Sequence, residues 1–460
     1  MTSSQRLLDE AEALLNAPIV AICSAAGQAA VGIVRLSGSS DEVDAILAGL
    51  IGPEQAASLE PRKMHLRTLR HPTSGDCLDR CLVVRFAAPR SYTGEEVIEF
   101  HLHGNPFVLE EVQSAVCLLG ARLAEPGEFT RRAVHSGRMS LLQAEAVDAL
   151  VRAGGRSGID VAQRHLGGEL PERIHLWRGG LLAVASALEA LVDFPEEVED
   201  EEIRGLIAGL APLCAEMNEL AVTFHAGRRL VTGSSVVLRG PVNAGKSTLF
   251  NALLGHSRAI VSAQAGTTRD VVSETLSWQG LSITLNDTAG VGTAADAIEE
   301  EGIERGGAAA QRADLVLAVR DARTLQQQHD GSVALESDFL WVASHADCIS
   351  GPAREQLRSQ GWMLSTPDDV AAIKAIRERI VELLRDEVPG DGLLLHTDRQ
   401  QRALNVALLA TREAGSLGDE EPVLAAMALR RAGEALEELA GRWSSEEVLD
   451  ELFARFCIGK

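Results

Sequence analysis

The chain has 460 residues, 46% apolar and 24% charged, with 43 Lys and Arg against 66 Asp and Glu for a formal net charge of −23. At roughly 150 residues per domain the length leaves room for about three packed domains, and this composition excludes an intrinsically disordered chain. The acidic excess is spread along the whole chain, which excludes a basic nucleic-acid-binding domain, and no run of about 18 apolar residues marks a membrane span. Only four of the cations are lysine, namely Lys63, Lys246, Lys374 and Lys460, so each lysine position carries information.

Residues 1–17 alternate acids with leucines like a short amphipathic helix and lack the basic start and apolar stretch of a signal peptide, so they read as an extension on a cytoplasmic protein. The seven cysteines form no disulfide framework, and Cys77 with Cys81 lacks a second pair at zinc spacing. Residues 18–130 contain the β-rich runs PIVAI, VGIVRL, RCLVVRF and EVIEFHLH, with helical stretches at 41–50 and 106–120, which predicts an α+β domain. His101 and His103 share a strand face there, but without a third ligand they read as structural hydrogen-bonding groups. From 131 to 231 the pattern is helical, in MSLLQAEAVDALVRA and LLAVASALEALVDF, and the acidic run Glu196 to Glu202 reads as a solvated loop face. Residues 232–386 alternate apolar strands (VVLRG, LSITLND, DLVLAVRD, DFLWVAS, WMLS) with helical segments, the pattern of a doubly wound parallel sheet. Residues 398–460 return to helix, with a capping box at Ser444-Ser-Glu-Glu447. The α/β module therefore interrupts a helical domain whose halves, 131–231 and 387–460, are expected to pack together.

Gly240-Pro-Val-Asn-Ala-Gly-Lys-Ser247 fits G-x-x-x-x-G-K-[ST] between the strand VVLR and the helix STLFNALL. In such a loop the backbone amides of Asn243, Ala244 and Gly245 wrap a phosphate, Lys246 reaches the β- and γ-phosphates, and Ser247, followed by Thr248, offers a hydroxyl to Mg2+. Gly266-Thr267-Thr268-Arg-Asp270 then supplies a threonine from a switch segment, and Asp287-Thr288-Ala289-Gly290 places a carboxylate near the metal and an amide near the γ-phosphate. No glutamine follows Gly290; the acidic stretch Asp296 to Glu301 is the alternative source of a water-orienting group. The base-reading loop departs from Asn-Lys-x-Asp. Ser344-His345-Ala346-Asp347 keeps Asp347 for the guanine N–H groups, while Ser344 is shorter than asparagine and His345 replaces the lysine stem. Ser365-Thr366 is the expected final base-contacting loop.

Three segments outside this module, Phe453-Ala-Arg-Phe-Cys-Ile-Gly-Lys460, Ser91-Tyr-Thr-Gly-Glu-Glu-Val-Ile-Glu99, and Pro126-Gly-Glu-Phe-Thr-Arg-Arg132 with Gln143-Ala-Glu-Ala146, closely resemble the MnmE (TrmE) family of tRNA uridine-modifying GTPases from about residue 18 to 460. The resemblance implies an N-terminal folate-binding, homodimer-forming α+β domain and a helical domain interrupted by a Ras-like P-loop GTPase domain. It implies that Asn243, Ser262, Gln264 and Thr267 ligate K+, that Ser247 and Thr268 hold Mg2+, and that Glu299 orients water indirectly. By the same resemblance, Gly266 joins the residues contacting GTP, Arg35, Glu99, Arg138 and Lys460 contact a tetrahydrofolate derivative (5-formyl or 5,10-methylene), and Cys457 is the tail cysteine beside it. The implied activity is a potassium-activated GTPase that adds a 5-carboxymethylaminomethyl or aminomethyl group to the wobble uridine of tRNA. It would work with the FAD-dependent partner MnmG (GidA) in a heterotetramer or larger. Two departures from the family pattern stand out, Ser344-His345 and the loop Ser24 to Ala30, which is less rich in Gly and Pro. Rival readings are an Era-like or Der-like ribosome-assembly switch, which calls for a basic appendage, and a paralogue with weakened guanine nucleotide binding. Local basic candidates for tRNA are confined to residues 61–70 and the group Arg131, Arg132 and Arg138.

Overall fold

The computed structural model describes residues 17–194, 200–255, 272–287, 313–327, 339–366, 368–385, 392–441 and 446–459. Contacts divide the chain into two compact units, Met1–Asp148 with Ala440–Lys460, and Ala149–Leu439.

The first unit is built on a six-stranded sheet. Its strands are β1 (Ile19–Ile22), β2 (Val31–Gly38), β3 (Met64–Arg70), β4 (Cys77–Phe86), β5 (Glu96–His103) and β6 (Arg122–Leu123), in the spatial order β3-β4-β5-β2-β1-β6. All neighbours are antiparallel except β1 and β6. Alternation sends Val34 and Leu36 of β2, with Ile98 and Phe100 of β5, into a core shared with helices α1 (Ser40–Ile51) and α3 (Pro106–Leu118); a short α2 (Pro53–Ala57) follows α1. Helix α3 begins where Asn105 accepts from the Phe107 amide and Pro106 occupies the first turn. The intervening positions, Arg35 on β2 and Glu99 and His101 on β5, therefore lie on the opposite sheet face. The basic segment at 61–70 is mostly the edge strand β3, which went unseen in the sequence because its apolar residues are interleaved with His and Arg.

Helices α4 (Glu128–His135), α5 (Leu141–Arg152) and α17 (Glu446–Phe453) bring Leu141, Ala144, Leu449, Phe453 and Phe456 into one cluster. Residues 131–148 and 440–459 consequently group with the N-terminal sheet rather than with the helices that follow. Arg131 pairs with Asp450, and Arg132 with Glu95 and Glu128. These two cations are held inside the unit.

In the second unit, helices α6 (Arg156–Leu166), α7 (Glu169–Asp193), α8 (Asp200–Ala208), α9 (Leu210–Ala221) and α10 (Phe224–Thr232) precede an α/β segment, and α15 (Asp398–Leu417) and α16 (Pro422–Ala440) follow it. The two helical groups pack on each other. α9 lies against α15, Arg430 of α16 pairs with Glu189 of α7 at 2.6 Å, and Arg178 pairs with Glu437. The stretch Arg204–Thr232 is apolar enough by mean hydropathy, 1.3, to meet a membrane-span criterion. It is divided among three helices, however, and Met217, Leu220 and Phe224 are buried.

The interrupting segment comprises β7 (Ser234–Arg239), α11 (Lys246–Leu254), β8 (Val272–Trp278), β9 (Leu281–Asp287), β10 (Leu315–Asp321), α12 (Ala322–Gln327), β11 (Phe339–Ser344), α13 (Gly351–Ser359), β12 (Met363–Leu364) and α14 (Val370–Leu384). Its sheet runs β12-β11-β10-β7-β9-β8, parallel except for β8 on the edge. The fold is thus multidomain, with an α+β N-terminal domain and a helical domain carrying an inserted P-loop α/β domain. The acidic residues 196–199 and the capping serine Ser444 lie outside the described residues.

Candidate functional site

Strand β7 is buried through Val236, Val237 and Leu238 between β9 and β10, and the chain leaves its C-terminal end into the loop that starts α11. Asn243 (φ 62) and Gly245 (φ 78) both adopt left-handed conformations, which fold the loop back onto the N-terminus of α11. A helix N-terminus so presented is an anion site. A side chain at position 245 would also meet Ser344 Cβ at 3.1 Å and His345 Cε1 at 3.2 Å, so glycine allows the loop following β11 to lie directly on the phosphate loop.

Lys246 is 7% exposed, and Nζ donates to the carbonyls of Gly240 at 2.9 Å and Pro241 at 2.8 Å. Burial pulls its pKa below the usual lysine value, and the Asp287 carboxylate opposes that pull. Ser247 Oγ donates to Asp287 Oδ2 at 2.8 Å. A hydroxyl and a buried carboxylate side by side are the hard oxygen donors that suit Mg2+, and the adjacent ammonium suits phosphate oxygens.

Beside the phosphate loop lies a shallow cleft lined by Gly245, Thr248, Leu249, Ala252, Ser344, His345 and Ser365. Ser344, 5% exposed, reaches further than its length promised. Its Oγ donates to the Ala244 carbonyl at 2.7 Å and lies 3.2 Å from the Arg320 carbonyl and 3.1 Å from His345 Nδ1. One hydroxyl thereby joins the phosphate loop, β10 and the base loop. His345 is left-handed (φ 51), with Nδ1 also 3.5 Å from Asp321 Oδ2. Arg323, gripping Asp321, holds that carboxyl below its ordinary pKa, with His345 adding to the effect. Asp347 is exposed, and Ser365 is fixed by donation from its amide to the Ala343 carbonyl at 2.8 Å.

On the N-terminal sheet, Arg35 and Glu99 stand directly opposite each other in the β2–β5 register. Arg35 Nε and Nη2 donate to Glu99 Oε1 at 3.0 and 2.8 Å, and Nη1 donates to the Gly459 carbonyl at 3.3 Å. The guanidinium lies 5.5 Å from the Tyr92 ring centroid and 5.6 Å from that of Phe129. Cys23 Sγ also donates to the Gly459 carbonyl, at 3.1 Å. Gly459 has φ 94, and a Cβ there would meet the Ile22 carbonyl oxygen at 2.7 Å, so the tail docks by backbone against the end of β1. Cys457 is exposed, and its carbonyl accepts from the Gly127 amide at 3.4 Å. Arg138 is exposed and donates from Nε to the Ser91 carbonyl, next to Tyr92.

The structure thus brings Arg35, Glu99 and the Cys457–Gly459 tail together, and Asn243, Ala244, Gly245, Lys246, Ser247, Thr248, Asp287, Ser344 and Ser365 around the phosphate loop. Ser262, Gln264, Gly266, Thr267, Thr268, Thr288, Ala289, Gly290, Glu299 and Lys460 lie outside the described residues. Among the described residues no cluster of three or more His, Cys, Asp or Glu forms a metal site. Asp321, Cys23 and Tyr92 are additions that sequence reasoning missed. Asp321 ends an apolar strand beside the phosphate loop, a position that could have marked it; for Cys23 only the tertiary fold gives the signal.

Residues 18–138 match the model of the GTP-binding protein TrmE N-terminus, and 141–457 that of the MnmE helical domain. The chain is similar to a tRNA modification GTPase MnmE of Caulobacter vibrioides, 38% identical over 96% of this chain and 99% of that one. It is also similar to proteins of the same description from Syntrophus aciditrophicus (35% identical, 97% and 100% covered) and an Azoarcus species (37%, 96% and 98%).

Proposed function

Because the chain belongs to the MnmE family of tRNA modification GTPases, we propose that its GTP hydrolysis is potassium-activated and drives addition of a 5-carboxymethylaminomethyl or aminomethyl group to the wobble uridine of tRNA. The carbon comes from a tetrahydrofolate derivative on the N-terminal sheet, and the redox step from an FAD-dependent partner of the MnmG kind, with this protein acting as a cytoplasmic homodimer. The observation that carries the reading is the pairing, in one chain, of a phosphate loop whose Lys246, Ser247 and Asp287 converge with a sheet face whose Arg35–Glu99 pair is covered by the tail.

Lys246, drawn into the loop, neutralises charge between the β- and γ-phosphates of GTP, while the amides of residues 243–247 hold the phosphates in place. Ser247 and Asp287 hold Mg2+, with Thr268 as a further donor, and the ion's role when bound is to screen the phosphate charge. Asn243, with Ser262, Gln264 and Thr267, holds K+; its carboxamide has the neutral oxygen that such an ion takes. Asp347 accepts from the guanine N–H groups, and the Ser344 hydroxyl keeps the base loop seated on the phosphate loop. On the sheet, Arg35 orients Glu99 toward the folate, Arg138 and Lys460 supply cations for its carboxylates, and Cys457 borders the one-carbon unit.

Hydrolysis of GTP, ATP and XTP measured in potassium and in sodium tests the switch. GTP-selective turnover that rises in potassium is expected, and turnover indifferent to the cation refutes the potassium assignment. Nucleoside mass spectrometry of tRNA from a deletion strain tests the modification, and unchanged wobble uridines reject it.

A further inference from the structure

The sheet face opposite the core helices holds a third half-buried polar side chain beside the Arg35–Glu99 pair. Glu99 gives Oε1 to Arg35, which donates to it twice, and turns Oε2 toward His101 Nε2, 3.3 Å away. His101 lies two residues along β5 and so on the same face. Its strand neighbours in register are apolar, Leu82 on β4 and Ile33 on β2, whereas Glu99 sits between Val84 and Arg35. The side chains of Arg35, Glu99 and His101 are 20, 16 and 20% exposed. His103, next on this face, is 76% exposed and already engaged by Asp79 at 2.8 Å.

A carboxylate offers about four acceptor positions. Among the described residues Arg35 takes two and His101 a third, which leaves Glu99 one, in a direction fixed from both sides. With Arg35 alone the carboxylate is held at one oxygen, and the soft terminal torsion of a glutamate leaves the other free to swing. Resting on the folate reading of this site, we propose that His101 is a positioning residue: by donating from Nε2 to Glu99 Oε2 it aims the remaining acceptor at an N–H of the pterin ring. The role requires the proton on Nε2, the form in which a ring nitrogen facing a carboxylate is a donor.

The test is calorimetric binding of 5-formyltetrahydrofolate to the full-length protein, with thermal midpoints recorded for each variant. His101→Leu keeps the bulk between Leu82 and Ile33 but removes the donor, and is expected to weaken binding about tenfold, the loss of one hydrogen bond to a charged acceptor. His101→Gln, which restores an N–H donor, is expected to return to within about threefold of wild type. A purely structural role predicts the opposite order, with leucine tolerated better than glutamine, and wild-type affinity in H101L overturns the proposal. If H101L loses its thermal transition, His101→Ala takes its place under the same criterion. Wild-type protein that fails to bind instead refutes the folate reading, and Glu99→Gln that binds as tightly as wild type refutes the Glu99 contact; the His101 role falls with either.

Discussion

Replacing Ser344 by alanine deletes one hydroxyl that is 5% exposed and holds the base loop to the phosphate loop. The bond to the Ala244 carbonyl is short, 2.7 Å, and buried, and the Arg320 carbonyl at 3.2 Å offers the same hydrogen a second acceptor. A buried neutral hydrogen bond contributes about 0.5–1.5 kcal/mol net, more when the acceptor is left unpaired. Because Gly245 packs directly against Ser344, loosening this contact is expected to show mostly in nucleotide binding. At roughly 1–1.5 kcal/mol the Kd rises about 5- to 12-fold, mainly through faster dissociation. Titration with fluorescent GDP and GTP analogues in excess magnesium, together with stopped-flow dissociation, measures this. Ser344→Thr keeps the hydroxyl and is expected to stay within about twofold of wild type. An S344A protein whose thermal midpoint falls while its nucleotide Kd stays at the wild-type value refutes the reasoning, because the hydroxyl then serves the fold alone.

Burial, reinforced by Asp79, pushes the Cys81 thiol up to about 12 from an ordinary 9.0. The folded state therefore keeps a proton that the unfolded chain gives up, and stability falls as pH rises through that window, by up to about 1.4 kcal/mol per pH unit. Urea titrations at about pH 8 and about pH 10 are expected to show a larger loss in wild type than in Cys81→Ala, where Cys117, Cys214 and Cys348, also raised by burial, still contribute; equal losses in both would count against it. Gly459→Ala is expected to lift the tail from β1, because its Cβ would lie 2.7 Å from the Ile22 carbonyl oxygen and 3.0 Å from Cys23 Cα. Binding of 5-formyltetrahydrofolate should weaken at least several-fold from a cost of about 1–2 kcal/mol in left-handed strain alone, and unchanged affinity would separate the tail from the site. Arg399, 8% exposed, closes the C-terminus of α16 by donating to the Glu438 carbonyl at 2.6 Å and the Leu439 carbonyl at 3.2 Å. Its replacement by alanine should lower the urea-unfolding free energy by roughly 2–3 kcal/mol, and a loss below the error of the titration would show that solvent replaces the cap.

The phosphate loop was legible in the sequence because its chemistry is local: Gly240 to Ser247 is one contiguous turn between an apolar strand and a helix. Strands β9, β10 and β11 were legible for a related reason, being buried on both faces as parallel strands are, and so reading as apolar runs. Two of the edge strands were not. β3 and β8 carry alternating polar residues on an exposed side, and β8 pairs antiparallel on the margin of its sheet. Arg35 and Glu99 came from the family resemblance, since their facing depends on a strand pairing that joins residues 64 apart. The Ser344 bond to Ala244 crosses 100 residues and depends on Gly245 letting two loops touch, which side-chain length alone did not reveal.

The bond from Cys23 to the Gly459 carbonyl links residues 436 positions apart, and both belong to the same compact unit. At a synthesis rate of about 5–20 residues per second, roughly twenty to ninety seconds separate the emergence of these two ends from the ribosome. For the part of that interval after residue 123 has been made, the chain holds every strand of the sheet but not the carbonyl to which Arg35 and Cys23 donate. A polypeptide released between the phosphate loop and residue 459 would carry the sheet and that loop yet lack the tail carbonyl held by Arg35 and Cys23. Completion of this site therefore depends on translation having reached the tail.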